Sequence, residues 1–131
     1  MANTVTVTTI QNSQKFAILH LYIAGDGTGE VTNSTVYNFS TDTYAPSAAK
    51  SLWIEQIWAA TDAFSVSVIW DGATPFQAWG QGNNFTTHAA DFSNFGGIPN
   101  KATTPNGNLT VTTTGLGAGE HLFMIVKIRK S

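Results

Sequence analysis

Three histidines, His20, His88 and His121, and a few carboxylates are the groups in this chain that could carry chemistry. A zinc site needs several such ligands converging at about 2 Å from the metal, often from close sequence spacing. These three lie far apart. His20 interrupts an apolar run from Phe16 to Ala24 and reads as a hydrogen-bonded structural histidine. His88 and His121 read as surface or strand-end residues, so no metal site is expected. The stretch Asp26-Gly27-Thr28-Gly29-Glu30 has a faint calcium-loop look. Calcium needs six or more oxygens, and two carboxylates do not supply them, so a hairpin turn is the expectation.

Glycoside hydrolysis needs two carboxylates about 5–9.5 Å apart, and Glu55, Asp62 and Asp71 are the candidates. Glu55 lies between Trp53 and Ile57, where a carboxylate is usually paired with a lysine or a backbone amide. No Gly-x-Ser-x-Gly elbow is present for a serine nucleophile. No catalytic residue and no cofactor is therefore assigned. The aromatic residues are the stronger clue, because exposed Trp and Tyr stack on sugars or anchor protein interfaces. Trp58 and Trp70 are expected in the core. Trp79, in the Gln- and Gly-rich segment Gln77 to Gly82, is the best candidate for an exposed aromatic, with Phe76 and Phe85 beside it. The cluster Lys127, Arg129, Lys130 holds too little positive charge for a nucleic-acid patch. It reads instead as protection of a strand edge.

The elements that would position these residues follow from composition and period. Only 11% of the 131 residues are charged, against roughly 25% in an average soluble domain. The surface is built instead from Thr, Ser, Asn, Gln and Gly, which suits a rigid module lying against other protein. The net charge of −2 implies no nucleic acid or acidic membrane as partner. The chain holds no cysteine, so neither disulfides nor thiolate chemistry enter. The first residues show no basic start and no apolar run, so no cleaved export signal is expected. The longest apolar stretch is about half of a membrane span.

The dominant period is two, the period of strands. Thr4 to Ile10 alternates Thr with β-branched residues, and both faces of Lys15 to Ala24 are apolar, as in a central strand. A return strand is expected over Glu30 to Ser40. Ser51 to Ala60 would place Leu52, Ile54 and Trp58 on one side. Ala63 to Trp70 alternates most cleanly, with a turn at Asp71-Gly72. Short strands are expected near Phe76 to Gly80 and Asn84 to His88, and a long surface loop over Asp91 to Asn108. Leu109 to Thr114 and Glu120 to Lys130 close the chain. About eight to ten short strands with regular turns and no helical stripe predict an all-β fold, a single-domain antiparallel β-sandwich or jelly roll over residues 1–131. Residues 1–12 form either an edge strand or an N-terminal arm. Thr4, Val5, Thr6 and Val7 are then candidate contact residues, able to add a strand to a neighbouring sheet.

Several segments, taken in order, carry a resemblance. They are Phe16-Ala17-Ile18-Leu19-His20, Gly25-Asp26-Gly27-Thr28-Gly29-Glu30, Leu52-Trp53-Ile54-Glu55-Gln56-Ile57-Trp58, Ile69-Trp70-Asp71, Phe95-Gly96-Gly97-Ile98-Pro99-Asn100 and Lys127-Ile128-Arg129-Lys130. In this order the chain resembles small all-β virion proteins of tailed bacteriophages, notably phages of marine bacteria and cyanobacteria. The resemblance implies a structural protein of the virion, made in the host cytoplasm: a capsid decoration (cement) protein bound to the major capsid protein on the outer face of the head. It also implies a homo-oligomer, with a trimer as the guess. A tail, adaptor or fibre-associated β-sandwich is the alternative from the same resemblance. A carbohydrate-binding module is the alternative that Trp79, Phe76 and Phe85 suggest.

Overall fold

Apolar side chains at every second position of two neighbouring strands build the larger of two sheets. In the computed structural model, which describes residues 3–81 and 87–130, these strands are β2 (Phe16–Ala24) and β10 (His121–Lys130). They pair antiparallel, Leu21 opposite Met124 and Leu19 opposite Val126. β1 (Thr4–Asn12) pairs with the far side of β2 and forms one edge. β4 (Leu52–Thr61) pairs with β10, and β7 (Thr87–Asp91) with β4. The two-residue β8 (Ile98–Pro99) also pairs with β4. The second sheet has the order β3 (Ser34–Tyr37), β9 (Thr103–Thr114), β5 (Ser65–Thr74), β6 (Phe76–Gln81). Ten strands among the described residues thus form a six-stranded and a four-stranded antiparallel sheet, packed as a sandwich.

One core fills the space between them. Leu19, Leu21, Ile23, Leu122, Met124, Val126 and Ile128 come from the larger sheet. Val66, Val68, Trp70, Leu109 and Val111 come from the smaller. Burial of each such side chain stabilises the fold by ~1.5–3 kcal/mol. The expected alternation of Phe64, Val66, Val68 and Trp70 is the inward row, all of it buried. β2 is central, as its composition implies, but only the row from Ala17 to Ile23 is inside. Phe16, Ile18, His20 and Tyr22 lie half-buried on the outer face.

Four expectations are corrected. First, Trp58 is not in the core. It is 42% exposed, while Ile57 and Ala59 are buried. Gln56 pairs with Lys127 and Ile54 with Ile128, so Glu55 is an extra residue in the ladder. This β-bulge shifts the alternation by one. Leu52 and Ile54 point inward before it, Ile57 and Ala59 after it, and Trp58 is turned out.

Second, Asp71-Gly72 is not a turn. β5 runs on to Thr74, and Gly72 opposes Pro105 beyond a register shift. A Cβ there would lie 2.6 Å from the Thr103 carbonyl oxygen, so the glycine serves a close strand approach. Third, residues 91–108 are not one long loop. They hold a 3₁₀ turn (Ser93–Phe95), β8 and the first half of β9. Gly107 and Thr104 have φ of 83° and 46°, which makes this half irregular and hides its period from sequence.

Fourth, the return after the Asp26 turn is a strand only over Ser34–Tyr37. It lies in the other sheet, so the turn is a crossover between sheets and not a hairpin. The Glu30 carboxylate accepts hydrogen bonds from the Thr113 hydroxyl (2.8 Å) and the amides of Gly115 (2.8 Å) and Leu116 (3.2 Å). Burial by itself would raise the pKa of Glu30, but these three donors outweigh it and hold the carboxyl below its usual range. Over residues 31–33 the Val31 and Asn33 amides donate to the Thr113 and Thr112 hydroxyls, and, among the described residues, only the Val31 carbonyl accepts a backbone bond, from Thr113.

Candidate binding surface

The outer face of the six-stranded sheet gathers a contiguous set of half-buried and exposed apolar side chains, Phe16, Ile18, Tyr22, Trp58, Phe123 and Ile125 among them. Paired residues share a face, so Tyr22 and Phe123 lie side by side, as do His20 and Ile125, and Ile125 and Trp58. The Tyr22 ring is 5.0 Å from Phe123 and stacks on His121 at 5.9 Å. His20 lies 6.4 Å from Phe123. His20 is therefore part of an exposed aromatic strip and not an interior histidine. Phe123, like Trp58, is 42% exposed.

A groove of about 490 Å³ runs across β10, β4 and β7 on this face. Ile18, Ile125, Trp58 and Ala89 give it apolar walls, and Gln56, Asp91 and Lys127 a polar rim. The Gln56 amide donates to Asp91 Oδ2 at 3.2 Å. The Ser93 hydroxyl and amide, foremost, hold the Asp91 carboxyl below its usual range.

Below the groove, the bulged Glu55 is clamped between Lys127 (3.0 Å) and Arg129 (3.7 Å). Those cations cover aromatic rings in turn. Lys127 Nζ is 4.2 Å from the Phe16 centroid, and the Arg129 guanidinium 4.3 Å from that of Trp53. Such contacts are worth ~0.5–2 kcal/mol each. Lys127 and Arg129, sharing one carboxylate, thus act as packing on the sheet face. They do not guard a sheet edge, because β10 is a central strand.

The carboxylates named from sequence are engaged one by one. Glu55 is paired as above. Asp62 accepts from the His121 amide at 2.8 Å and lies 3.7 Å from His121 Nδ1. Asp71 accepts from the Asn106 amide at 2.8 Å. Asp26 turns back to the Thr28 amide and hydroxyl, while Glu30 reaches β9, so the two do not converge. Among the described residues no group of three His, Cys, Asp or Glu stands close enough to hold a metal.

Phe76 and Trp79, expected as contact aromatics, are half-buried on β6 and pack against the core. Phe85 lies outside the described residues, and so does the side chain of His88. Thr4, Val5, Thr6 and Val7 lie on the exposed edge strand β1. Sequence reasoning missed Trp58, Phe123, Tyr22 and Ile125 as surface residues. The adjacent polar pair Glu55-Gln56 inside an otherwise apolar strand was the available signal, since two successive outward residues imply a bulge.

A second, smaller cavity of about 210 Å³ opens between β1, β2 and β3. Asp42 lines it and anchors a buried polar network. Lys130 Nζ lies 2.7 Å from Asp42 Oδ2, with side chains 0% and 3% exposed. The Tyr37 hydroxyl, the Asn12 amide and the Tyr44 backbone amide also donate to this carboxylate. Lys130 further donates to Asn12 Oδ1 and the Ser13 carbonyl. Burial would raise Asp42, but its donors overcompensate and hold it well below the usual carboxylate range. Burial, and then the bond to Asp42, push the Tyr37 phenol far up. With every group partnered, this cluster ties the β1–β2 turn, the segment after β3 and the C-terminal strand together.

No protein-family model matches the chain, and neither the curated proteins nor the solved structures contain a significant match to it.

Proposed function

We propose that the protein is a non-enzymatic structural module that docks flat against another protein through the outer face of its six-stranded sheet. The observation that carries this reading is the Glu55 bulge, which turns Trp58 out opposite Ile125, into a groove that Ile18 also lines. Bulges that re-aim a side chain are functional features more often than defects. A standard interface covers ~800 Å² per partner, with an aromatic anchor at its centre. Trp58 and Phe123, framed by the Lys127–Glu55–Arg129 cluster, have that composition.

The resemblance noted from the sequence supplies the assembly: decoration of a phage head, with the major capsid protein as partner. A position in the tail is the runner-up, and copy number per particle separates the two. The test is co-sedimentation of purified protein with undecorated phage shells. Binding near stoichiometric with the capsid protein is expected, as is a loss of ~30-fold or more in affinity for Trp58→Ala, since an anchor tryptophan is worth ~2 kcal/mol or more. Absence of the protein from virions would overturn the reading. A carbohydrate-binding reading also has one specific observation in its favour, the exposed Trp58 ring beside Gln56, Asp91 and Lys127. Saccharide titration followed by tryptophan fluorescence tests it, and a flat response removes it.

A further inference from the structure

The edges of the two sheets are not alike. Among the described residues, three edge strands are short: β3 has four residues, β6 six and β7 five. Short edges protect a sheet against pairing with other chains. β1 has nine residues, all exposed. It holds no proline and no charged side chain, and residues 1–14 hold none either. Its only interruption is a bulge at Ile10, which leaves Thr4–Thr9 as a regular run with one row of backbone groups unpaired.

A second feature points the same way. Val5 pairs with Ile23 and Val7 with Leu21, so both valines face the core side of the sheet. Ile23 and Leu21 are fully buried, yet Val5 is 37% and Val7 38% exposed. The smaller sheet does not reach across β1, and an apolar row is left open next to an unsatisfied strand edge. Together these ask for an added strand that supplies both hydrogen bonds and apolar cover.

We infer that β1 is a homodimer interface, in which β1 of a second copy pairs antiparallel with it about a two-fold axis. Two properties select a second copy as the occupant. A two-fold pairing centred on Thr6 sets Val5 of each copy opposite Val7 of the other, with Thr4 opposite Thr8. Facing rows therefore match in kind, as an isologous contact requires. No like charges meet, because the strand has none. Edge pairing joins the two six-stranded sheets into one continuous sheet with both outer faces on one side. This inference concerns a different surface from the docking face proposed above and stands or falls separately.

Sedimentation velocity and light scattering of the full chain at roughly 100 µM, above the micromolar range of a small interface, test it. A doubled mass is expected. The variants Val5→Lys/Val7→Lys and Val5→Glu/Val7→Glu are each expected to be monomeric and folded by circular dichroism. Mixing them should restore the dimer, because each lysine then faces a glutamate. Should a double variant fail to fold, hydrogen exchange on the unmodified protein replaces it: β1 amides should gain protection at least several-fold as concentration rises. A monomer or a trimer at this concentration overturns the inference, as does a dimer that survives both double variants or shows no concentration-dependent protection in β1. A monomer that still binds shells leaves the docking reading intact. A dimer that ignores shells does the reverse.

Discussion

Replacing Lys130 by methionine should be among the costliest single changes on this protein. The Lys130 side chain is 0% exposed and that of Asp42 3%, so solvent screens neither. Methionine fills most of the volume of the lysine stem, so the loss is electrostatic rather than a cavity. What remains is a buried carboxylate without its cation, together with Asn12 Oδ1 and the Ser13 carbonyl without a donor. Removing one partner of a buried ion pair costs ~3–5 kcal/mol. Asp42 keeps three donors, from Asn12, Tyr37 and Tyr44, which places the cost near the lower end, ~3 kcal/mol. A domain of this size has ~5–15 kcal/mol in all.

Urea denaturation followed by tryptophan fluorescence should show that drop as a lower midpoint with an unchanged slope. Adding Asp42→Asn to Lys130→Met should recover part of the loss, because the uncompensated charge is gone. The pH dependence follows from the same group. The folded-state pKa of Asp42 lies below its ordinary value of 3.8. The unfolded chain therefore takes up the proton first, and the stabilisation is present above that value and lost as pH falls below it. Asp42→Asn should remove that part of the acid sensitivity. A cost below ~1 kcal/mol for Lys130→Met, typical of an exposed pair, would refute the reasoning.

Three further outcomes follow from the packing. Deleting Glu55 should leave a folded protein weakened by only ~1–3 kcal/mol, because the bulge is the one place in β4 where a residue can go without reversing the faces. Deleting Ala60 slips the register and should unfold the domain, and thermal melts of the two deletions compare them directly. Trp70 is fully buried, and its Nε1 has no hydrogen-bond partner among the described residues. Trp70→Phe removes that unsatisfied donor, worth ~1–3 kcal/mol, against the space it opens. The net change should be within ~1.5 kcal/mol by urea denaturation, well under the ~2–5 kcal/mol of Leu21→Ala. Gly107 has φ of 83°, and a Cβ there would come within 2.5 Å of Phe39. Gly107→Ala should therefore cost more than ~1 kcal/mol, read as a lower melting temperature.

Much of the fold was legible because period-two alternation is a local property. β2 and β10 stand within one residue of their expected bounds, and β5 begins within two, with Val66, Val68 and Trp70 inward as expected, although it runs four residues past its expected end. Alternation fails where an extra residue enters a ladder. The Glu55 bulge, the shift between Trp70 and Gly72, and the left-handed residues of β9 each broke the count, and the errors over Trp58, Asp71-Gly72 and residues 91–108 follow from them. A bulge is a relation between two strands, so one strand read alone gives at most an indirect sign of it, such as the adjacent polar pair Glu55-Gln56.

The candidate surface was less legible than the fold. The aromatic strip joins Tyr22 to Phe123, and Ile125 to Trp58, residues distant in sequence that meet only through strand order. The neutral, low-charge composition and the all-β class were properties of the sequence alone, since they need only residue types and their period. Which face of the sheet is exposed, which strand lies at an edge, and which cation is buried against Asp42 were decided by tertiary structure. Each of those depends on what packs against a residue from elsewhere in the chain. That is why residues 1–12 read in sequence as an edge strand or an arm alike, and Val5 and Val7 are seen to stay open only once the smaller sheet stops short of β1.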